Sequence, residues 1–261
     1  MAIKHNKKKR ARRWIIAASF AAVGLGISSV AYAQAGRVGV SKPLVLLVVL
    51  AALSLVPFVI MMSTSFVKIA VVLALVRNAI GTQQVPPNII VTGLAMILTI
   101  YIMVPVGYNI YNASSDIINQ GTNQPLMSQA SVELLGKAVK VGKEPMREFL
   151  IKHTHKKEKQ LFYKLALKLR STDEQRADVE ENDFMNLVPA FVISELTEAF
   201  QIGFILFLPF LIIDLVIANV LLSLGMFQIS PITLSLPFKL LLFVLVDGWH
   251  LITKGLILGY V

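Results

Sequence analysis

The chain has 261 residues, 56% of them hydrophobic and only 15% charged, with a net charge of +10 and no cysteine. That balance exceeds ordinary globular usage and points to a membrane protein. The missing cysteines exclude disulfides, thiolate metal sites and thiol catalysis. Nucleic acid is excluded as well: seven of the 25 bases lie in the first thirteen positions, and elsewhere 18 bases face 15 acids, which leaves no sustained basic face.

The chain opens with Lys4, Lys7, Lys8, Lys9, Arg10, Arg12 and Arg13, followed by an apolar run from Trp14 to Val30 and by Ala31-Tyr32-Ala33. A basic start, an oily stretch and an A-x-A site together describe an export signal peptide over residues 1–33. Ala33-Gln34-Ala35 offers a second cleavage point, and an uncleaved anchor is the alternative.

Four hydrophobic segments follow. Leu44–Met62 reaches the roughly 20 residues that a spanning helix needs and runs on through Ser63, Thr64, Ser65 and Lys68 to Ile69–Val76. The segment Ile89–Tyr108 comes next, after "RNAIGTQQVPPN". In that link Gly81 suits a helix C-terminus, Pro86-Pro87 forbids continuation, and Asn88 suits an N-cap. Residues 34–108 therefore predict a first helical hairpin.

Residues 109–184 form a polar insert, nearly neutral, with 12 bases and 11 acids over 109–183. "SVELLGKAVK" and "EKQLFYKLALKLR" have helical spacing, whereas "NASSDIINQGTNQP" reads as loop. His153 and His155 are two apart, so they do not face one ligand on a helix and read as solvated surface rather than metal ligands. A leader cleaved outside, followed by two crossings, places this insert in the periplasm.

A second hairpin occupies 185–261, made of Leu187–Phe227 and roughly Ile232–Val261, joined through Gly225 and Pro231. Pro57, Pro105, Pro189, Pro209 and Pro237 lie in the oily segments and predict kinks or breaks. His250, beside Trp249, fits packing or an interfacial position.

Charges inside these segments need partners, because an ionisable side chain facing lipid costs at least about 2.5–3.5 kcal/mol. Lys68, Glu195, Glu198, Asp214, Lys239 and Asp247 are such residues, with Arg77 at a hairpin end. Lys239 and Asp247 are about 12 Å and about 80° apart along one helix, so they cannot pair with each other there. Pairing across helices or subunits is expected: acids of the third segment with bases of the first, and Asp214 or Asp247 with Lys239. These pairs either hold a bundle in register or line a proton or ion path; near-balance of acid and base favours the first. No phosphate loop, metal signature or nucleophile elbow is present, so neither an enzyme nor a cofactor is expected.

Specific strings add to this. "PAFVISELTEAFQIGF" (189–204) and "PFKLLLFVLVDGW" (237–249) resemble the two signature stretches of the FliP/SctR family, and "TSFVKIAVVLALVRNAIGTQQVPPN" (64–88) is similar to its first hairpin. The resemblance implies a component of the type III secretion export gate. Such a component assembles in several copies with two other small membrane proteins into a helical pore for unfolded secreted proteins. It also implies that Lys239 and Asp247 sit at subunit interfaces, and that a run after the third segment forms a gasket. Here that run is Met226, Phe227 and Gln228, poorer in methionine than in flagellar members. The stretches "SFVKIAVVLALVRN" (65–78) and "NDFMNLVPAFVISEL" (182–196) resemble injectisome members more closely than flagellar ones; the leader is more typical of flagellar ones.

The expected protein is thus all-α: two membrane hairpins around a helical periplasmic insert, building the wall of an oligomeric, non-catalytic pore in the bacterial inner membrane. The rivals are a transporter or channel relaying protons through Glu195, Glu198 and Asp214, and a scaffold without a pore.

Overall fold

The computed structural model describes residues 42–81, 86–121 and 129–261; the leader expected over 1–33 lies outside them. Among the described residues nine helices follow one another: α1 (Lys42–Met62), α2 (Phe66–Ile80), α3 (Asn88–Gly121), α4 (Gln129–His153), α5 (Lys156–Leu169), α6 (Asp173–Ala177), α7 (Phe184–Ser223), α8 (Pro231–Leu245) and α9 (Gly248–Leu258). The chain divides into two units between Ile60 and Met61. In the first, α1 is a 21-residue apolar helix that runs through Pro57, with most of its leucines and valines exposed.

In the second unit α2 is the central element. It buries Ile69, Val72, Leu73, Val76, Ala79 and Ile80 together with Lys68, and these meet Ala95, Leu98 and Ile102 of α3 and Leu187, Phe191 and Ala199 of α7 in one hydrophobic core. Gly203 lets α7 come close, since a β-carbon there would stand 2.2 Å from Leu75 Cδ1. The insert is joined to this core through Phe149 and Leu150 of α4. Ser114 of α3 donates to the Ala138 carbonyl of α4 at 3.3 Å.

Two described helices are long and apolar enough to cross a membrane, α3 over Asn88–Ser115 and α7; the number rises to four if α1 with α2, and α8 with α9, each count as one broken span. The all-helical class is therefore seen, while the segments differ from those expected in several places. The first oily segment is interrupted at Ser63–Ser65, whose side chains are buried. The fourth is broken at Val246-Asp247, where α8 and α9 meet at 60°. Asp247 takes a left-handed conformation there (φ 51°), and no helix continues through such a residue. In contrast, helices run on through Pro57, Pro105, Pro189, Pro209 and Pro237, so none of these prolines breaks its helix. The loop expected at "NASSDIINQGTNQP" is helical as far as Gly121, because Ser114 and its neighbours pack on α4 and this overrides weak propensity.

Candidate functional site

Two clusters of buried charge are the chemically distinctive features of the second unit. Both grow from the meeting of α2 with α7.

The first lies at the N-terminal end of α2. Lys68 Nζ stands 2.6 Å from Glu198 Oε2 and 3.1 Å from Glu195 Oε1, with the Lys68 and Glu195 side chains 3% and 0% exposed. Glu195 and Glu198 are three apart on α7, so one face of that helix presents both carboxylates to one ammonium. The phenol of Tyr260 donates to Glu195 Oε2, and the Lys68 ammonium lies 4.2 Å over the same phenol ring. Burial, then the charge of Glu195, pushes the Tyr260 phenol above its ordinary pKa, so it stays a donor. On the other side His155 Nε2 is 2.7 Å from Glu198 Oε1, and the His155 backbone N–H donates to Ser194 Oγ at 3.0 Å.

His153 lies between the rings of Phe149, 4.8 Å away, and Tyr260, 5.0 Å away, tilted to both. Burial, with help from Lys152 and Lys68, lowers its pKa from 6.5 to about 4. A crevice of about 250 Å³, walled by Asn109, Glu148, Lys152, His153 and Tyr260, opens beside this cluster. Of the two histidines expected on a solvated surface, His155 is exposed and meets Glu198, whereas His153 is half-buried against Phe149 and Tyr260. Helix α4 ends at His153, and the turn that follows sets His155 at the start of α5, against Glu198. Among the described residues, no group of three or more potential ligands could hold a metal ion.

The second cluster lies at the other end of α2. Lys239 Nζ donates to Asp214 Oδ2 at 2.6 Å and to the Ala79 carbonyl at 3.3 Å. Ser235, one turn before Lys239 on α8, donates to Asp214 Oδ1. The ammonium thus reaches the C-terminal end of α2, where carbonyls lack intrahelical partners and the helix dipole favours a cation. Gly81, with φ 85°, closes that end as expected. Lys239 is 3% exposed and finds these partners inside this chain.

The remaining charges are not brought together. Arg77 donates to the side chain of Asn88 and pairs with no acid among the described residues. Asn88 is the first residue of α3 rather than its N-cap; the Pro87 carbonyl accepts from Ile90 and Val91 instead. Asp247 is exposed at the break before α9 and lies apart from Lys239's cluster. Met226, Phe227 and Gln228 form the exposed turn between α7 and α8, with Phe227 77% exposed. Gly225 supplies the positive φ of 72° that turns the chain there. His250 and Trp249 are exposed on α9.

Sequence reasoning missed Tyr260, His155 and Ser235. Ser235 had a legible signal, since it lies four residues before Lys239 and so on the same helix face. Tyr260 and His155 had none, because their partners are 65 and 43 residues away.

The sequence profile of the FliP family matches residues 49–256. Among curated proteins, the chain is 46% identical over 216 residues to Yop proteins translocation protein R of Yersinia pestis, covering 82% of this chain and 95% of that protein. It is 44% identical over 221 residues to the hypersensitivity response secretion protein HrcR of Ralstonia nicotianae, covering 82% and 96%. Flagellar biosynthetic protein FliP of Bacillus subtilis is 42% identical over 221 residues, covering 85% and 93%.

Proposed function

The chain belongs to the FliP family, and from that premise we propose that it is a membrane component of the type III export gate, a wall subunit of the pore through which unfolded proteins leave the cell. The observation that carries this reading is the match over 82–85% of the chain to proteins named for translocation, secretion and flagellar biosynthesis. The injectisome is the system we favour. The strings over 65–78 and 182–196 support it. In this reading several copies assemble with two other small membrane components in the bacterial inner membrane, and the insert faces the periplasm.

The buried clusters support a structural rather than a transporting role. Lys68 faces two carboxylates that are also hydrogen-bonded to Tyr260 and His155, and Lys239 is held by Asp214 and a helix end. Each cluster ties helices distant in sequence to α2, and neither needs a mobile proton to be satisfied. The exposed turn at Met226, Phe227 and Gln228 is the part that would line the constriction. Its apolar side chains could seal around a passing chain without reading its sequence.

The test is site-specific photo-crosslinking in secreting cells. A photoreactive residue replacing Phe227 should give adducts with exported proteins, and one replacing Leu161 on α5 should not. Absence of adducts at Phe227, with secretion intact, would remove the turn from the pore.

A further inference from the structure

Helix α5 and the segment that follows it carry opposite charge. From Lys156 to Arg170 the sequence holds six bases and a single acid, and from Asp173 to Asp183 six acids and a single base. One ion pair joins the two stretches within the chain, with Lys159 Nζ 3.9 Å from Glu181 Oε1. Helix geometry keeps three other lysines out of its reach. Half-buried Phe162, Tyr163 and Ala166 form the inner face of α5, which packs on α7, and Lys159 lies on that side. Lys157, Lys164 and Lys168 stand about 140–180° round the helix from Lys159 and form a ridge on the outer face. All three are exposed, and no carboxylate pairs with them among the described residues. Glu174, Asp178 and Glu180 are likewise exposed and form no ion pair among the described residues.

The two unpaired sets match in spacing as well as in sign. Lys164 and Lys168 are one turn apart, about 6 Å along the axis. Glu174 and Asp178 have the same i, i+4 spacing across α6 and its C-terminal residue. Each set also has an oily neighbour. Leu165 and Leu169, exposed by 42% and 84%, flank the lysines, and Met185, 73% exposed, follows the acids in the first turn of α7. Every copy of the chain that offers the ridge therefore also offers its complement.

We propose that the lysine ridge of α5 in one copy docks on the acidic segment 174–181 of the next copy, with Leu165 and Leu169 against Met185. The proposal rests on the reading of this chain as one of several copies in an export gate, and it names the surfaces through which those copies meet. Ridge and acidic segment are different surfaces of one chain, so the contact is heterologous. It leaves a free ridge at one end and free acids at the other, and it repeats from copy to copy into a ring or a helix. The charges select the neighbour and its register, while the leucines and Met185 supply apolar burial at the centre of the contact.

Because the sequence has no cysteine, two differently tagged copies can each carry one, Leu165→Cys in the first and Met185→Cys in the second. Both are co-expressed with the other export-gate components, and the extracted complex is oxidised with copper phenanthroline. A disulfide should join the two tags, and none should join two Leu165→Cys copies. Lys164→Glu with Lys168→Glu in the first copy should lower the yield about tenfold. Adding Glu174→Lys with Asp178→Lys in the second copy should restore it. These four positions are exposed, so the variants should keep their melting temperatures. Native mass spectrometry of the same sample counts the copies. Several copies without the disulfide, or a disulfide indifferent to the charge reversals, would overturn the proposal and leave the gate reading standing. A photoreactive residue at Leu165 that captures another component instead of a second copy would do the same. One copy per complex would overturn both.

Discussion

At the scale of single residues, Lys68 carries the heaviest demand, because it is the cation between two carboxylates of which Glu195 is fully buried. Replacing Lys68 with Met strands that charge, and the loss should be about 3–5 kcal/mol, read as a fall in melting temperature of the purified protein. Adding Glu195→Gln should recover much of it, since an amide still accepts from Tyr260 without needing a counter-charge. His153 gives a second prediction. Its pKa is lowered from 6.5 to about 4 in the folded protein, so the unfolded chain binds the proton more readily. Its contribution to stability is full above about pH 6.5 and is lost as pH falls towards about pH 4. Thermal unfolding measured at about pH 7 and about pH 4.5 should differ less in a His153→Gln variant than in the parent. At the other end of α2, exchanging Asp214 and Lys239 (Asp214→Lys with Lys239→Asp) should restore assembly only in part. The exchange rebuilds the ion pair, but it turns a carboxylate towards the Ala79 carbonyl that Lys239 now serves. A proton relay through Asp214 predicts no rescue of export at all.

At the scale of elements, the sequence was most legible where a local rule was strong. Gly81 ended α2, the oily runs became helices, and the apolar spacing of the insert became α4 and α5. It was least legible where distant packing decided the outcome. The stretch after Tyr108 reads as loop by its Asn and Ser content, yet Ser114 leans on α4 and the helix persists. The prolines read as breaks, yet the helices absorb them. The real break is at Val246-Asp247, just before Gly248, and its cause is geometric. A β-carbon on Gly248 would lie 2.3–2.7 Å from three atoms of the Phe243 ring, so the bend between α8 and α9 closes only over a bare α-carbon. Gly248→Ala should therefore cost about 1–3 kcal/mol of overpacking, measured as a lowered melting temperature. Gly255→Ala in the same helix, with open space around its α-carbon, should be neutral or mildly stabilising.

At the scale of the whole molecule, the family was legible because long strings mix charge with apolar runs in an unusual way. The functional geometry was not. Sequence spacing shows that Lys239 and Asp247 cannot pair along one helix, but not that Lys239 turns inward to Asp214 while Asp247 stays outside. Nor does hydropathy tell a helix ending in lipid from one ending in protein, and many apolar side chains of α3, α7 and α8 are exposed in the isolated chain. In the proposed gate that surface serves assembly: the charge clusters would brace the chain internally, and the exposed faces and the turn at Phe227 would meet other subunits and the exported chain. The measurement that tests this most directly is native mass spectrometry of the protein gently extracted from membranes after co-expression with the two other small export-gate components. The account predicts a single complex that holds several copies of this chain together with its partners. One copy alone, or one copy per complex with partners present, would contradict it.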